Sequence, residues 1–314
     1  MNASITLNHF FYQLKPLIPR WLQIWLRSKL VLRKRRACSD VWPILESSSV
    51  APDSWAGWPE GKRFALVLTH DVESASGQKK CPQLMELEKA FGFRSSFNFV
   101  PERYAVSREL RDNLTNNGFE VGVHGLKHDG KLYASKTIFQ ERAIRINQYL
   151  TEWQSVGFRS PSMHHNLSWI HALNIEYDSS TFDTDPFEPQ SDGVGAIFPF
   201  WNEGNTSQRG YVELPYTLPQ DFTLFVLMKE KNIHIWKRKL DWIPDKGGMA
   251  LLNTHPDYMN FNKGKMTIEQ YPAEYYQRFL EYVANKYEGA YWHVLPFELA
   301  HFWKSRIAKK KDTS

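Results

Sequence analysis

Short apolar runs that end abruptly in polar clusters, with helically spaced stretches between them, constrain this chain more than any other feature. Phe64-Ala-Leu-Val-Leu68 leads straight into Thr69-His-Asp-Val-Glu73, and Phe119-Glu-Val-Gly-Val123 alternates its apolar residues into His124, with His128 four residues on. Residues 95–100, 175–179 and 249–252 read as further strands, and residues 81–91, 108–116, 138–152 and 273–286 as helices. Strands alternating with helices predict an α/β architecture with parallel strands, and such folds place their chemistry at strand ends. Residues 183–220, rich in Pro, Gly and aromatics, are expected to form an irregular insertion near the site rather than a domain of their own.

The two polar clusters have the composition of a metal hydrolase. Imidazoles four apart, such as His124 and His128, can converge on one ion from a helical turn or tight loop. A carboxylate leaving a strand end can supply a third ligand and leave one coordination position open for water, which points to catalysis rather than structure. A lone His-x-x-x-His is common by chance, and either ring could be an ordinary core or surface residue. The strand-end placement of both clusters is what favours ligation.

A chain of 314 residues can bury a substantial core in one large domain or two smaller ones, and 42% hydrophobic with 23% charged residues is a soluble globular composition. The net charge of +5 hides an asymmetry. Residues 1–39 carry eight basic side chains and no acidic one, residues 304–314 carry a net +4, and the body over 40–303 is left at −7. That balance argues against a nucleic-acid-binding face on the main domain. Only Cys38 and Cys81 occur, so no disulfide framework is implied and the reducing cytoplasm fits best. Some of the twelve tryptophans could line a sugar-facing groove, although core packing accounts for most of them.

Residues 1–60 read as a basic amphipathic extension ending in a Ser-, Pro-, Gly- and Trp-rich linker, and 304–314 as a basic tail. After Pro19, Arg20, Gln23, Arg27 and Lys34 fall on one helical stripe, while Trp21, Leu22, Ile24, Trp25 and Leu32 cover much of the rest. Two readings are open: the helix lies in a membrane interface, or it packs against the body or a partner with Arg33 to Arg36 solvated. No uncharged run of about 18 residues supports a transmembrane span, and the charges follow the apolar residues, unlike a signal peptide.

Taken in order over residues 61–303, five short motifs resemble those of the polysaccharide deacetylase family, the NodB-homology or carbohydrate esterase 4 group. They are Thr69-His-Asp-Val-Glu73, His124-Gly-Leu-Lys-His128, Phe158-Arg-Ser-Pro161, Tyr177-Asp-Ser-Ser180 and Leu251-Leu-Asn-Thr-His255. The resemblance implies a distorted (β/α) barrel and a divalent metal, zinc, held by Glu73, His124 and His128. It further implies Asp71 as base, Arg159 orienting Asp71, His255 as acid and Asp178 supporting His255. Val72 stands where the family's commonest first motif has a second aspartate. Glu73 is then the natural third ligand, as in members reading Asp-x-Asp, and the division of roles between Asp71 and Glu73 stays open.

The chemistry is coherent with these assignments. Amide hydrolysis needs an acidified water, a carboxylate to take its proton and an acid to protonate the leaving amine. Arg159 could keep Asp71 ionised and Asp178 could hold His255 protonated; otherwise they are a surface salt bridge and a turn residue. His164 and His165 could line the substrate groove or lie on a loop surface, and His70 could support the site or face the interior. Asp183 and Asp185 could bind sugar hydroxyls or form a turn, and Trp201, Tyr211 and Tyr216 could stack on sugars or pack the insertion. The expected function is removal of an acyl group, acetyl, from an N-acylated sugar in glycan biosynthesis. The expected setting is cytoplasmic and peripheral at the inner membrane face, with a lipid-linked precursor as one form of the substrate. Two alternatives stand beside it: a non-sugar amide or cyclic imide hydrolase, and a catalytically silent glycan-binding or assembly protein.

Overall fold

The structure, a computed structural model, describes residues 19–53, 55–204, 209–262 and 264–311. Residues 1–18 of the extension and 312–314 of the tail lie outside that set. Helix α1 (Arg20–Ala37) precedes β1 (Phe64–Val72), after which helices and strands alternate through α2 (Cys81–Ala90), β2 (Ser96–Phe99), α3 (Arg108–Asn116), β3 (Glu120–His124), α4 (Lys136–Glu152) and β4 (Gly157–Arg159). Strands β5 (Tyr177–Asp178), β6 (Phe200–Asn202) and β7 (Tyr211–Glu213) follow, then α5 (His234–Lys246) and β8 (Met249–Thr254). The chain ends with β9 (Met259–Asn260), β10 (Tyr271–Pro272), α6 (Glu274–Lys286), β11 (Tyr291–His293) and α7 (Pro296–Lys311). Local chemistry sets several boundaries. Ser107 and Ser135 accept from Leu110 N–H and Ile138 N–H at the starts of α3 and α4, and left-handed Gly247 ends α5.

Strand β1 sits between β2 and β8, with β11 along its first residues, and parallel pairing continues from β2 through β3, β4 and β5 to β7. Beyond β7 the N–H groups of Thr217 and Leu218 donate to Leu251 O at 3.0 and 3.1 Å, so the sheet curls back onto β8 as a distorted (β/α) barrel. Side chains alternate along each strand, and this alternation separates the core into layers. Phe64, Leu66 and Leu68 pack with the helices around Phe279 and Leu280. Ala65 and Val67 belong to a second cluster with Val212, Leu214 and Leu251, joined by Trp58 and Trp303. Thr69 and Asp71 share the parity of Ala65 and Val67. The same strand face is therefore apolar along its first half and polar at its C-terminal end, where the site lies.

Residues 183–220 depart from the expected irregular insertion. They contribute β6 and β7 to the sheet, β6 antiparallel to β7. Three-residue strands are too short to carry a readable period.

Helix α1 packs on the body in an unusual orientation. Its basic stripe, not its tryptophans, faces inward. Ile24 and Val31 are buried, Arg20 pairs with Glu269 at 2.9 Å, Arg35 pairs with Glu230, and Lys34 donates to Pro186 O. Arg27 lies 5.1 Å over the Phe222 ring. The acidic body explains the choice of face. Trp21, Trp25 and Leu30 are consequently 60%, 52% and 67% exposed. Among the described residues, no helix is long and apolar enough to cross a membrane.

Candidate active site

Strand register brings the polar ends together. Asp71 on β1 lies opposite Asn98 on β2, Asn98 opposite Gly122 on β3, and His124 opposite Arg159 on β4. Gly122 is required by close approach, since a Cβ there would overlap Asn98 Oδ1. With that space free, Asn98 Nδ2 donates to Asp71 Oδ1 at 3.0 Å, and Asn253 Nδ2 at the end of β8 donates to Asp71 Oδ2 at 2.9 Å. Arg159 Nη1 lies 3.4 Å from Asp71 Oδ1; the guanidinium is buried and fixed by Thr69 Oγ1 at 2.8 Å and by the backbone and side-chain oxygens of Ser179 at 2.8 and 2.7 Å. Burial alone would raise the Asp71 carboxyl, but His124, Arg159 and His255 overcome it and hold Asp71 at about 2.

Ligand atoms of Glu73, His124 and His128 all lie within 4.8 Å of one another. A tight loop makes this possible: Gly125 and His128 both take left-handed backbone, φ 61° and 53°. The non-glycine His128 is of the strained kind that concentrates at functional sites. His124 Nδ1 donates to Arg159 O at 3.1 Å, which fixes the tautomer and leaves the Nε2 lone pair free. Nε2 of His124 is buried without a hydrogen-bond partner, and Nε2 of His128 lies 2.9 Å from Glu73 Oε1. Buried polar atoms are normally satisfied. Two imidazole nitrogens converging with a carboxylate fit a divalent cation in the three-ligand sets of hydrolytic zinc sites. Glu73 is oriented by Tyr258 O–H at 3.0 Å. Its carboxyl, which burial would raise, is held well below the usual range chiefly by His128, and burial lowers His124 to about 4.

His255 follows β8. Its Nδ1 donates to Asp221 Oδ1 at 2.7 Å, its backbone N–H to Asp221 Oδ2 at 2.8 Å, and Tyr271 O–H donates to the same Oδ2 at 2.9 Å. Nε2 faces the site, 3.9 Å from Asp71 Oδ2, and His124 Nε2 is likewise 3.9 Å from that oxygen. Burial opposes a charge on His255, yet Asp221 prevails and raises it to about 10.

The expectation that Asp178 supports His255 is corrected here. Asp178 lies on β5 opposite Glu213 of β7, away from the β8 end, and accepts from Ser180 O–H at 2.6 Å. Burial raises both carboxyls of the Asp178–Glu213 pair. His70 points the opposite way from Asp71 and is held in the core by Thr254 at 2.8 Å and Glu88 at 2.9 Å. Asp183 pairs with buried Lys239 at 2.5 Å, and Asp185 accepts from Tyr216 O–H at 2.9 Å. Tyr211 and Tyr216 are buried in packing, and Trp201 packs half-buried against the cluster that holds Tyr216. His165 Nδ1 is bonded to Met163 O at 2.9 Å, whereas His164 Nε2 is buried without a partner. Asn98, Asn253, Asp221 and Tyr258 were not anticipated. Asn253 lies inside the Leu-Leu-Asn-Thr-His run and Asn98 on an alternating strand, so parity could have found both; nothing near Asp221 marks it.

No family model matches this chain, and no curated protein matches it. Solved structures do. A protein from Mycobacterium smegmatis assigned as a polysaccharide deacetylase superposes with a TM-score of 0.63 at 18% identity, over 82% of this chain and 96% of that one. The allantoinase PuuE gives 0.59 at 17% identity, over 79% and 92%, and a protein from Pseudomonas aeruginosa PAO1, also assigned as a polysaccharide deacetylase, gives 0.58 at 17%, over 78% and 92%. The curled parallel sheet, its site at the strand ends and these superpositions lead to one conclusion: the chain has the NodB-homology fold of the polysaccharide deacetylases.

Proposed function

We propose that this chain is a metal-dependent hydrolase that removes an acetyl group from an N-acetylated sugar during glycan assembly. The observation that carries this reading is Asp71 Oδ2, placed 3.9 Å from both His124 Nε2 and His255 Nε2, between a three-ligand cluster and an acid. Glu73, His124 and His128 would hold a divalent ion, zinc from this donor set, which would supply Lewis acidity to the amide carbonyl and acidify a water. Asp71, kept ionised by Arg159 and its two amide donors, accepts the proton of that water. His255, kept protonated by Asp221, donates from Nε2 to the nitrogen as the C–N bond breaks, so acetate and a free amine leave. Asp221 and Tyr258 position His255 and Glu73 through hydrogen bonds.

Amine release from N-acetylglucosamine oligomers by the metal-loaded protein tests the reading; a loaded protein that frees no amine from N-acetylated sugars overturns it. A non-sugar amide is the second reading, supported by the similarity to PuuE allantoinase, and hydrolysis of a cyclic ureide in place of sugars would establish it. Elemental analysis should find about one divalent ion per wild-type chain and little in His128→Ala, because two ligands rarely hold such an ion. Equal metal in both proteins removes His128 from the ligand set. A wild type that binds no metal and frees no amine would be a silent binding protein.

The setting we favour is the surface of an anionic membrane on the cytoplasmic side. Support comes from the outward face of α1, where exposed Trp21 and Trp25 flank Lys29, Arg33 and Arg36, and from the two free cysteines. Full-length protein should cosediment with phosphatidylserine vesicles and release as salt rises, and Trp21→Glu/Trp25→Glu should sediment much less. Equal sedimentation of the two proteins would assign that face to another role.

A further inference from the structure

A groove of about 670 Å³ runs between α1 and the segment Pro186 to Glu188. Its volume is that of a small-molecule site. Three cations line it, Arg27, Arg33 and Lys34, alongside apolar Leu30, Val31 and Phe187. Its single carboxyl, Glu188, is pushed up to about 8 by burial and by neighbouring Asp185, which weakens its negative charge beside the three cations. The lining thus favours a ligand that is anionic at one point and apolar beside it.

Two short chains of side-chain contacts join the groove wall to the hydrolytic centre. Glu188 Oε1 accepts from Gln220 Nε2 at 2.8 Å, Gln220 Oε1 meets Asn253 at 3.5 Å, and Asn253 reaches Asp71 at 2.9 Å. On the other wall Arg27 covers Phe222, whose ring is 4.8 Å from that of Tyr258, itself 5.2 Å from His255. Leu30 and Arg33 also belong to the exposed face of α1, so the groove opens beside the tryptophans.

We propose that this groove takes the phosphate and first alkyl carbons of an amphiphilic substrate, presenting its N-acetylated sugar to Asp71 and His255. The proposal rests on the deacetylase reading above and adds the class of aglycone.

Dodecyl phosphate below its micellar concentration is the probe, titrated calorimetrically against the metal-loaded full chain, with dodecyl maltoside and inorganic phosphate as comparisons. Wild type should bind dodecyl phosphate more tightly than either comparison. Arg33→Gln/Lys34→Gln should weaken it about 10- to 100-fold, the loss of charge-assisted contacts, and Arg33→Lys/Lys34→Arg should restore most of it. The same Gln variant should lower kcat/KM for an alkyl-phosphate-linked N-acetyl sugar relative to a neutral one. Unchanged binding in the Gln variant, or no preference over dodecyl maltoside, overturns the proposal. Binding by inorganic phosphate as tight as by dodecyl phosphate also overturns it, since the alkyl chain would then have no place. Selective binding without amine release from any sugar would uphold the groove and sink the deacetylase reading; amine release without selective binding would do the reverse.

Discussion

Asp71→Asn is expected to keep its metal and lose about 100- to 10,000-fold in turnover, the range of a general base. Asparagine preserves the carboxylate's shape and one acceptor, so Arg159 keeps its contacts to Thr69 and Ser179 and is not stranded as an unpaired buried charge. What disappears is the ionised oxygen between His124 and His255. Metal analysis beside steady-state kinetics separates the roles. If metal vanishes from Asp71→Asn and persists in Glu73→Gln, Asp71 is the ligand and Glu73 the base. The geometry favours the first arrangement: Glu73 Oε1 lies 2.9 Å from His128 Nε2, while Asp71 is occupied by two asparagine donors and an arginine.

His255→Ala should slow hydrolysis of an N-acetyl amide by about 100-fold or more, yet slow an activated ester far less, because an amine needs a proton to leave and a phenolate does not. Equal losses on both substrates would mean that His255 serves binding or fold. Asp221→Asn tests the same ring through its charge. With Asp221 present, His255 is raised to about 10, so the imidazolium persists until the solution becomes alkaline. Without that charge the pKa falls toward the ordinary 6.5, and the alkaline limb of the kcat/KM profile should move to lower pH. An unmoved limb alongside reduced activity would assign Asp221 a purely structural part.

Much of this site is legible along the chain because a strand carries its own instructions. Alternation in Phe64 to Val72 and Glu120 to His124 determines which residues share the inner face, and the end of each apolar run marks where chemistry begins. That pattern points to His124 and His128 with a strand-end carboxylate, whereas Glu73 as the third ligand and His255 as the acid are implied by the family resemblance. The helices over 81–91, 108–116 and 273–286 likewise follow from apolar spacing, within a residue or so of their observed bounds.

Other features depend on which segment lies beside which. The carboxylate beneath His255 is Asp221, 34 residues away with α5 and β8 between them, and not Asp178, which β5 carries to Glu213. Asn98 and Asn253 meet Asp71 only because β2 and β8 flank β1 in one register; a shift of one residue would turn both away. The orientation of α1 follows from the acidic surface that receives it. Periodicity within one element reports the faces of that element, whereas the partner of a charged or hydrogen-bonding group is chosen by distance in space. The sequence by itself therefore determined the longer strands, several helices and the polar clusters at their ends, and the tertiary structure alone decided the short strands, the hydrogen-bond partners of His255 and Asp71 and the inward face of the first helix.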